Sequence, residues 1–244
     1  MSNDDFTSQV IAFAKKKGAD LVGIASANYL ESYPDLKYKP GFFVPKAKSV
    51  ITIGLKVNDA LLEFGLSTKA RSRSDLFSSR HEVYTQTLEG YLKYYNYNLL
   101  DNIAIETSKY LEKNGFLSFP IQARVTDWTE VKGVFPHKLA AIAAGLGTQG
   151  KCSLIITSEY GPRVRLVSLI TEAPLKTFAP RKDTTKNVCG NCRKCIDICP
   201  IDALDYDEDT GTTSIAKMAC WKLTLPSRCG LCMAVCPYGR KNLN

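Results

Sequence analysis

The sequence predicts an α+β chain, with an α/β layer over residues 1–175 followed by a small cysteine-rich domain over 176–244. Three observations lead there. Segments of helical and strand periodicity alternate through the first half, as in an α/β layer rather than a helix bundle. Eight of the nine cysteines fall between Cys189 and Cys236. Between the two regions, residues 173–187 combine Pro174 and Pro180 with a basic-polar composition and read as a connector. A chain of 244 residues is long enough to bury a proper core and carry a small appendage.

The first helix is signalled by Asp4 or Asp5 as cap, by Phe6, Val10, Phe13 and Ala14 at helical spacing, by Lys15–Lys17 at the end and by Gly18 as stop. Leu21–Ala25 reads as a short buried strand. Pro34, Pro40, Gly41 and Pro45 break the next segment, and Ser49–Val57 is the clearest strand of the first half. Residues 58–79 are polar and serine-rich and are expected to form a loop. From Arg80 to Lys113 the apolar positions recur at helical spacing, with a break expected near Asn96–Asn98 and an end at Asn114–Gly115. Tyr91, Tyr94, Tyr95 and Tyr97 on this helix are readable either as core aromatics or as a source of a proton donor, because a phenol can protonate a developing carbanion.

Pro136 opens a small-residue helix that stops at Gly145 and runs into the glycine-rich turn Gly145-Leu146-Gly147-Thr148-Gln149-Gly150-Lys151. Strands over Ser153–Thr157 and Val164–Thr171 follow, joined around Tyr160-Gly161-Pro162. Glycines at this spacing let backbone lie against a flat or phosphate-bearing ligand. The turn is neither GxGxxG nor a P-loop, which excludes a Rossmann dinucleotide site and a nucleoside-triphosphate site.

The cysteines carry the chemistry. Cys189, Cys192, Cys195 and Cys199-Pro200 form CxxCxxCxxxCP, in which three closely spaced thiolates hold one cubane and the fourth reaches a second. Cys229, Cys232 and Cys236-Pro237 repeat most of the pattern; Pro226 stands where a symmetric run would have its first cysteine, and Cys220 is the spare thiol. Two 4Fe-4S clusters are therefore expected, one on Cys189, Cys192, Cys195 and Cys236, the other on Cys199, Cys220, Cys229 and Cys232. Four-cysteine zinc sites and four disulfides were the alternatives, and neither accounts for the triple CxxCxxC or for a proline after each CxxxC.

The formal charge is +8. Eight thiolates on two 2+ cubanes add about −4, so roughly +4 remains and the basic balance is partly a counter-charge. Lys69, Arg71, Arg73 and Arg80 gather in one polar stretch that reads as a solvated loop, and no nucleic-acid partner is expected. There is no apolar run of membrane-spanning length and no signal-peptide pattern at Met1-Ser-Asn-Asp-Asp, so no membrane partner and a cytoplasmic, reducing location are expected.

The run Ala144 to Leu166, then Thr171-Glu-Ala-Pro-Leu175 and the two-cluster motif, resembles the family that joins epoxyqueuosine reductase and the reductive dehalogenases. Gly18–Ile24 and Val44–Ile51 look like that family's first helix-strand unit. The resemblance implies a nitroreductase-like α/β domain holding base-off cobalamin, followed by a bacterial ferredoxin-like domain that feeds it electrons. It implies that Gly145, Leu146, Gly147, Gly150, Lys151, Ser153 and Leu154 line the corrin, and that the cluster completed by Cys199 and Cys220 lies nearer to it. It points to Asp127, with Glu130 close by, as the proton donor. Cys152 either faces the ligand or is a small buried hydrophobe. His137 takes a helix-surface or supporting role rather than cobalt ligation, and His81 has no motif around it.

The expected function is an oxidoreductase that passes electrons through two 4Fe-4S clusters to cobalamin and reduces a small or tRNA-like substrate. The electron donor would be a ferredoxin, flavodoxin or flavin reductase, and the acceptor a small molecule or a corrinoid protein. The alternatives are an electron-transfer ferredoxin-type protein and a reductase of a corrinoid protein. The chain ends at Asn244, where epoxyqueuosine reductases continue with residues that help hold tRNA, and it has no twin-arginine signal of the respiratory dehalogenases.

Overall fold

The computed structural model describes residues 3–68, 79–127, 132–180, 188–223 and 229–240. Lys69, Arg71, Arg73, Glu130 and Pro226 lie outside these, as do the side chains of Arg80, His81, Tyr94 and Asp127. The chain divides into two compact units. One comprises residues 1–55, 96–147 and 165–181; the other comprises 56–95, 148–164 and 182–244. The first unit thus ends at residue 181, and the second unit draws in the two segments 56–95 and 148–164.

In the first unit, α1 (Asn3–Lys16) leads to β1 (Leu21–Ser26), the short helices α2 (Ala27–Glu31) and α3 (Pro40–Phe43), and β2 (Ser49–Lys56). A four-stranded sheet has the order β1-β2-β8-β3, where β3 is Ser118–Ile121 and β8 is Val164–Thr171. β1 pairs antiparallel with β2, and β3 with β8. Nearly every residue of β2 and β8 is buried, which is why both read as unbroken apolar runs rather than alternating ones. Val10, Ala14, Ile24, Ile51, Ile53, Leu100, Ile103, Leu111, Val167 and Leu169 form one core between this sheet and α1 with α6 (Tyr97–Lys113). A second core gathers Ala25, Leu30, Val50, Phe135, Ala140, Ala143 and Ile170. It lies under α7 (His137–Ala143), which packs on β1.

Residues 58–79 are not a loop throughout. α4 (Asp59–Ser67) begins there because the side chain of Asn58 accepts hydrogen bonds from the N–H groups of Ala60 (3.0 Å) and Leu61 (3.4 Å), an N-cap that the polar composition concealed. The long helix divides into α5 (Ser79–Gly90), a π-helical stretch at Tyr91–Asn96, and α6. The break therefore lies one turn before the asparagines and ends at them. The strand expected over Ser153–Thr157 starts only at Ile155, as β7 (Ile155–Thr157), because Ser153 has a left-handed φ of 58°.

The second unit contains α4, α5, the pair β6 (Gly147–Gln149) and β7, and the cysteine-rich segment. That segment carries α8 (Lys194–Asp197), the hairpin β9 (Leu204–Asp207)–β10 (Thr212–Ile215), α9 (Lys217–Leu223) and α10 (Leu231–Ala234). α10 packs on α4 and on α8. Among the described residues no helix is long and apolar enough to cross a membrane.

Candidate metal centre

Both CxxC runs fold by the same local device. In Cys189-Gly190-Asn191-Cys192 and Cys229-Gly230-Leu231-Cys232 the second residue is a glycine with φ of 48° and 63°. A left-handed residue there turns the chain so that both thiols of the run face the same side, and a side chain would strain it.

Four of the thiols feel the charges of others among the eight. Burial, then the charges of Cys195 and Cys192, raise Cys189 above the ordinary thiol range. Cys236 is pushed up to about 11, first by burial and then by Cys189 and Cys195. Burial pushes Cys229 up to about 11, with Cys199 and Cys220 adding to it. Cys232 is pushed up to about 12, first by burial and then by Cys229, Cys220, Cys195 and Cys199. These half-buried sulfurs thus lie near enough to repel one another as thiolates, a repulsion that a cationic centre would relieve. Among the described residues, no three His, Cys, Asp or Glu side chains converge on a point that would hold a single metal ion. The all-thiolate donor chemistry fits iron-sulfur clusters.

Backbone N–H groups also point at the sulfurs. Lys151 N–H donates to Cys189 Sγ (3.5 Å) and Ala203 N–H to Cys199 Sγ (3.2 Å). Further backbone hydrogen bonds reach Cys195 from Ile196, Cys229 from Leu231 and Cys236 from Tyr238. Such donors favour thiolate over thiol and tune a cluster's potential.

The ninth cysteine, Cys152, is buried and donates its S–H to Cys195, which brings Cys195 down to about 7 while Cys152 is driven far above the thiol range. Cys152 therefore remains a thiol and faces the first set rather than a separate ligand. Lys151, beside it, is 1% exposed; its ammonium binds Glu208 Oε1 at 2.8 Å and lies 4.1 Å from the Tyr206 ring centroid. This ammonium is thus engaged by the β9–β10 hairpin region.

The rest of the turn is only partly free. A Cβ on Gly145 would lie 2.6 Å from the carbonyl oxygen of Ala179, and one on Gly150 would lie 2.6 Å from Cγ1 of Ile156. These two glycines make room for the protein's own atoms. Gly147 is buried, whereas Leu146, Ser153 and Leu154 are half-buried. Of the seven residues, Leu146 in the first unit and Ser153 and Leu154 in the second keep side chains that are half-exposed to a ligand.

Asp127 lies in the two-residue strand β4 (Thr126–Asp127), paired with β5 (Lys132–Gly133). His137 sits on the inner side of α7, with Nδ1 3.0 Å from Ser168 Oγ and Nε2 3.4 Å from the Gln122 carbonyl oxygen. Burial pulls it down to about 4, so it is neutral at pH 7 and serves packing rather than proton transfer.

Sequence reasoning missed Arg163, which is 1% exposed and donates to three backbone carbonyls around Cys236. An arginine placed directly before an apolar strand was the available signal.

Residues 188–240 match the family model described as 4Fe-4S dicluster domain. Over 98% of its length the chain is 28% identical to the epoxyqueuosine reductase of Bacillus cereus, and it spans 66% of that relative, just under two thirds. The solved epoxyqueuosine reductase of Streptococcus thermophilus superposes with a TM-score of 0.65 at 21% identity, covering 97% of this chain and 67% of that one. A reductive dehalogenase whose structure suggests a mechanism for B12-dependent dehalogenation superposes at TM-score 0.68 and 19% identity, covering 99% of this chain and 32% of that one. The structural likenesses establish the fold. The chain is thus similar in sequence to epoxyqueuosine reductases along nearly its whole length, shares its fold with a reductive dehalogenase, and matches a 4Fe-4S dicluster domain over residues 188–240.

Proposed function

We propose that this chain is an iron-sulfur reductase in which Cys189, Cys192, Cys195 and Cys236 hold one 4Fe-4S cluster and Cys199, Cys220, Cys229 and Cys232 a second. The observation that carries the reading is the match of residues 188–240 to a 4Fe-4S dicluster domain, a segment that contains all eight of these cysteines. The protein's part is to hold the sulfurs as thiolates through directed N–H groups and to keep water from them by burial. The donor proposed is a ferredoxin, a flavodoxin or a flavin reductase, delivering one electron at a time in the cytoplasm.

The acceptor proposed is base-off cobalamin, supported by the likeness to epoxyqueuosine reductase and to the B12-dependent dehalogenase. Leu146, Ser153 and Leu154 would contact it, alongside the backbone of Gly147. Cobalamin, when bound, supplies a strongly reducing metal centre for a small or tRNA-like substrate. Asp127 is the residue proposed to hold the proton that substrate takes up.

A second reading is favoured by the engagement of Lys151, Gly145 and Gly150 within the protein: the chain passes electrons to a corrinoid protein and binds no corrin itself. Anaerobic reconstitution followed by iron, sulfide and ultraviolet-visible analysis separates the two. The first reading expects about eight irons per chain and one bound cobalamin. Eight irons with no corrin uptake favour the second, and failure to bind iron sinks both.

A further inference from the structure

We propose that Arg163 is a positioning residue for the cysteine set closed by Cys236, and that its buried charge raises the reduction potential of the cluster held there. This rests on the iron-sulfur reading above and deepens it. Arg163 lies outside the dicluster segment 188–240, immediately before β8. Its Nη1 donates to the Tyr238 carbonyl (2.5 Å), and its Nη2 donates to those of Ala234 (3.0 Å) and Cys236 (2.6 Å). The guanidinium thus pins the backbone on both sides of the one thiol that reaches this set from the far end of the segment. A planar fork with several donors can do this, whereas an ammonium cannot.

One carboxylate beside it is shared between two cations. Nε lies 3.8 Å from Asp59 Oδ1, while the other oxygen of Asp59 takes the Lys56 ammonium at 2.5 Å. The next pair, Arg240 with Glu63 at 2.5 Å, is neutral within itself. Lys56, Asp59 and Arg163 therefore sum to one positive charge, and of the three Arg163 is the most deeply buried, at 1% exposed. A cubane with four thiolates carries about −2 when oxidised and gains a further negative charge when reduced. A desolvated cation nearby stabilises the more negative state more, so the potential rises. The step is a one-electron reduction of the iron core by a dithionite-class donor, with no bond made or broken.

The experiment uses the full chain, reconstituted anaerobically and titrated with dithionite under electron paramagnetic resonance. Cys236→Ser identifies which signal belongs to this set. Arg163→Gln is expected to lower that midpoint by at least a tenfold change in the reduction equilibrium, about 59 mV for a one-electron couple, and to leave the other midpoint in place. Asp59→Asn, an isosteric change that frees the arginine's charge, is expected to move the same midpoint upward with iron content unchanged. Opposite signs from the two variants support the proposal, and Asp59→Asn decides alone if Arg163→Gln does not fold. Unchanged midpoints, equal shifts of both signals, or a downward shift in Asp59→Asn overturn it. A wild-type chain that takes up no iron would instead overturn the underlying iron-sulfur reading.

Discussion

Acidifying the protein from pH 7 to pH 5 should destabilise the first unit through one side chain, His137. The Gln122 carbonyl can only accept, so Nε2 carries the proton and Nδ1 accepts from the Ser168 hydroxyl, which in turn lies 3.2 Å from Thr52 Oγ1. Burial holds the folded-state value at about 4 against 6.5 for the free side chain. A depressed folded value means that the contribution is complete above 6.5 and is lost as pH falls from 6.5 through 4. At pH 5 the unfolded histidine is almost fully protonated and the folded one is not, which amounts to about 2 kcal/mol. The measurement is urea unfolding of wild type and His137→Gln at both pH values. The variant should be less stable at pH 7, and the gap should close by about 2 kcal/mol at pH 5. With only two histidines in the chain, a ring-proton titration provides an independent reading, in which one resonance should move near pH 4. A gap independent of pH, or two histidines both titrating above pH 6, would refute the burial argument.

Glu208→Gln leaves the Lys151 ammonium with the Tyr206 ring but no carboxylate; because Glu208 is 58% exposed, the expected loss is about 1–2 kcal/mol, read by thermal unfolding. Cys152→Ala removes the S–H donor to Cys195 and should lower one cluster midpoint without changing the iron content. Gly150→Ala drives a methyl group into Ile156 and should cost about 1–3 kcal/mol in urea unfolding, with partial recovery in the double variant carrying Ile156→Val. Substituting Leu154 by Asp should abolish cobalamin uptake in an equilibrium binding assay while leaving iron content intact, if the corrin reading is right.

The dicluster segment was legible because the spacing of CxxC and CxxxCP is a local property of the chain. The strands Ser49–Val57 and Val164–Thr171 were legible for a related reason, since burial on both faces leaves a continuous apolar run. α4 was not, because its start depends on one asparagine in a polar stretch and its apolar face, with Leu62 buried, is short. Arg163 was missed, and the contacts of Lys151 and Cys152 were not foreseen, for a different reason. Their roles come from partners 38 to 75 positions away, and no periodicity reports such partners. The turn's glycines looked like a ligand cradle, yet Ala179 and Ile156 fill the space beside two of them.

The discontinuity of the second unit bears on how the molecule is made. Its segments close through pairs such as Glu63 with Arg240, separated by 177 positions, and Arg163 with Tyr238, separated by 75. During synthesis, α4 and the β6–β7 segment leave the ribosome long before the residues that bury them, whereas the first unit can start packing α1 on β1 at once. Ring closures of this length are entropically slow. The second unit can therefore complete its packing only once the cysteine-rich segment has been synthesised.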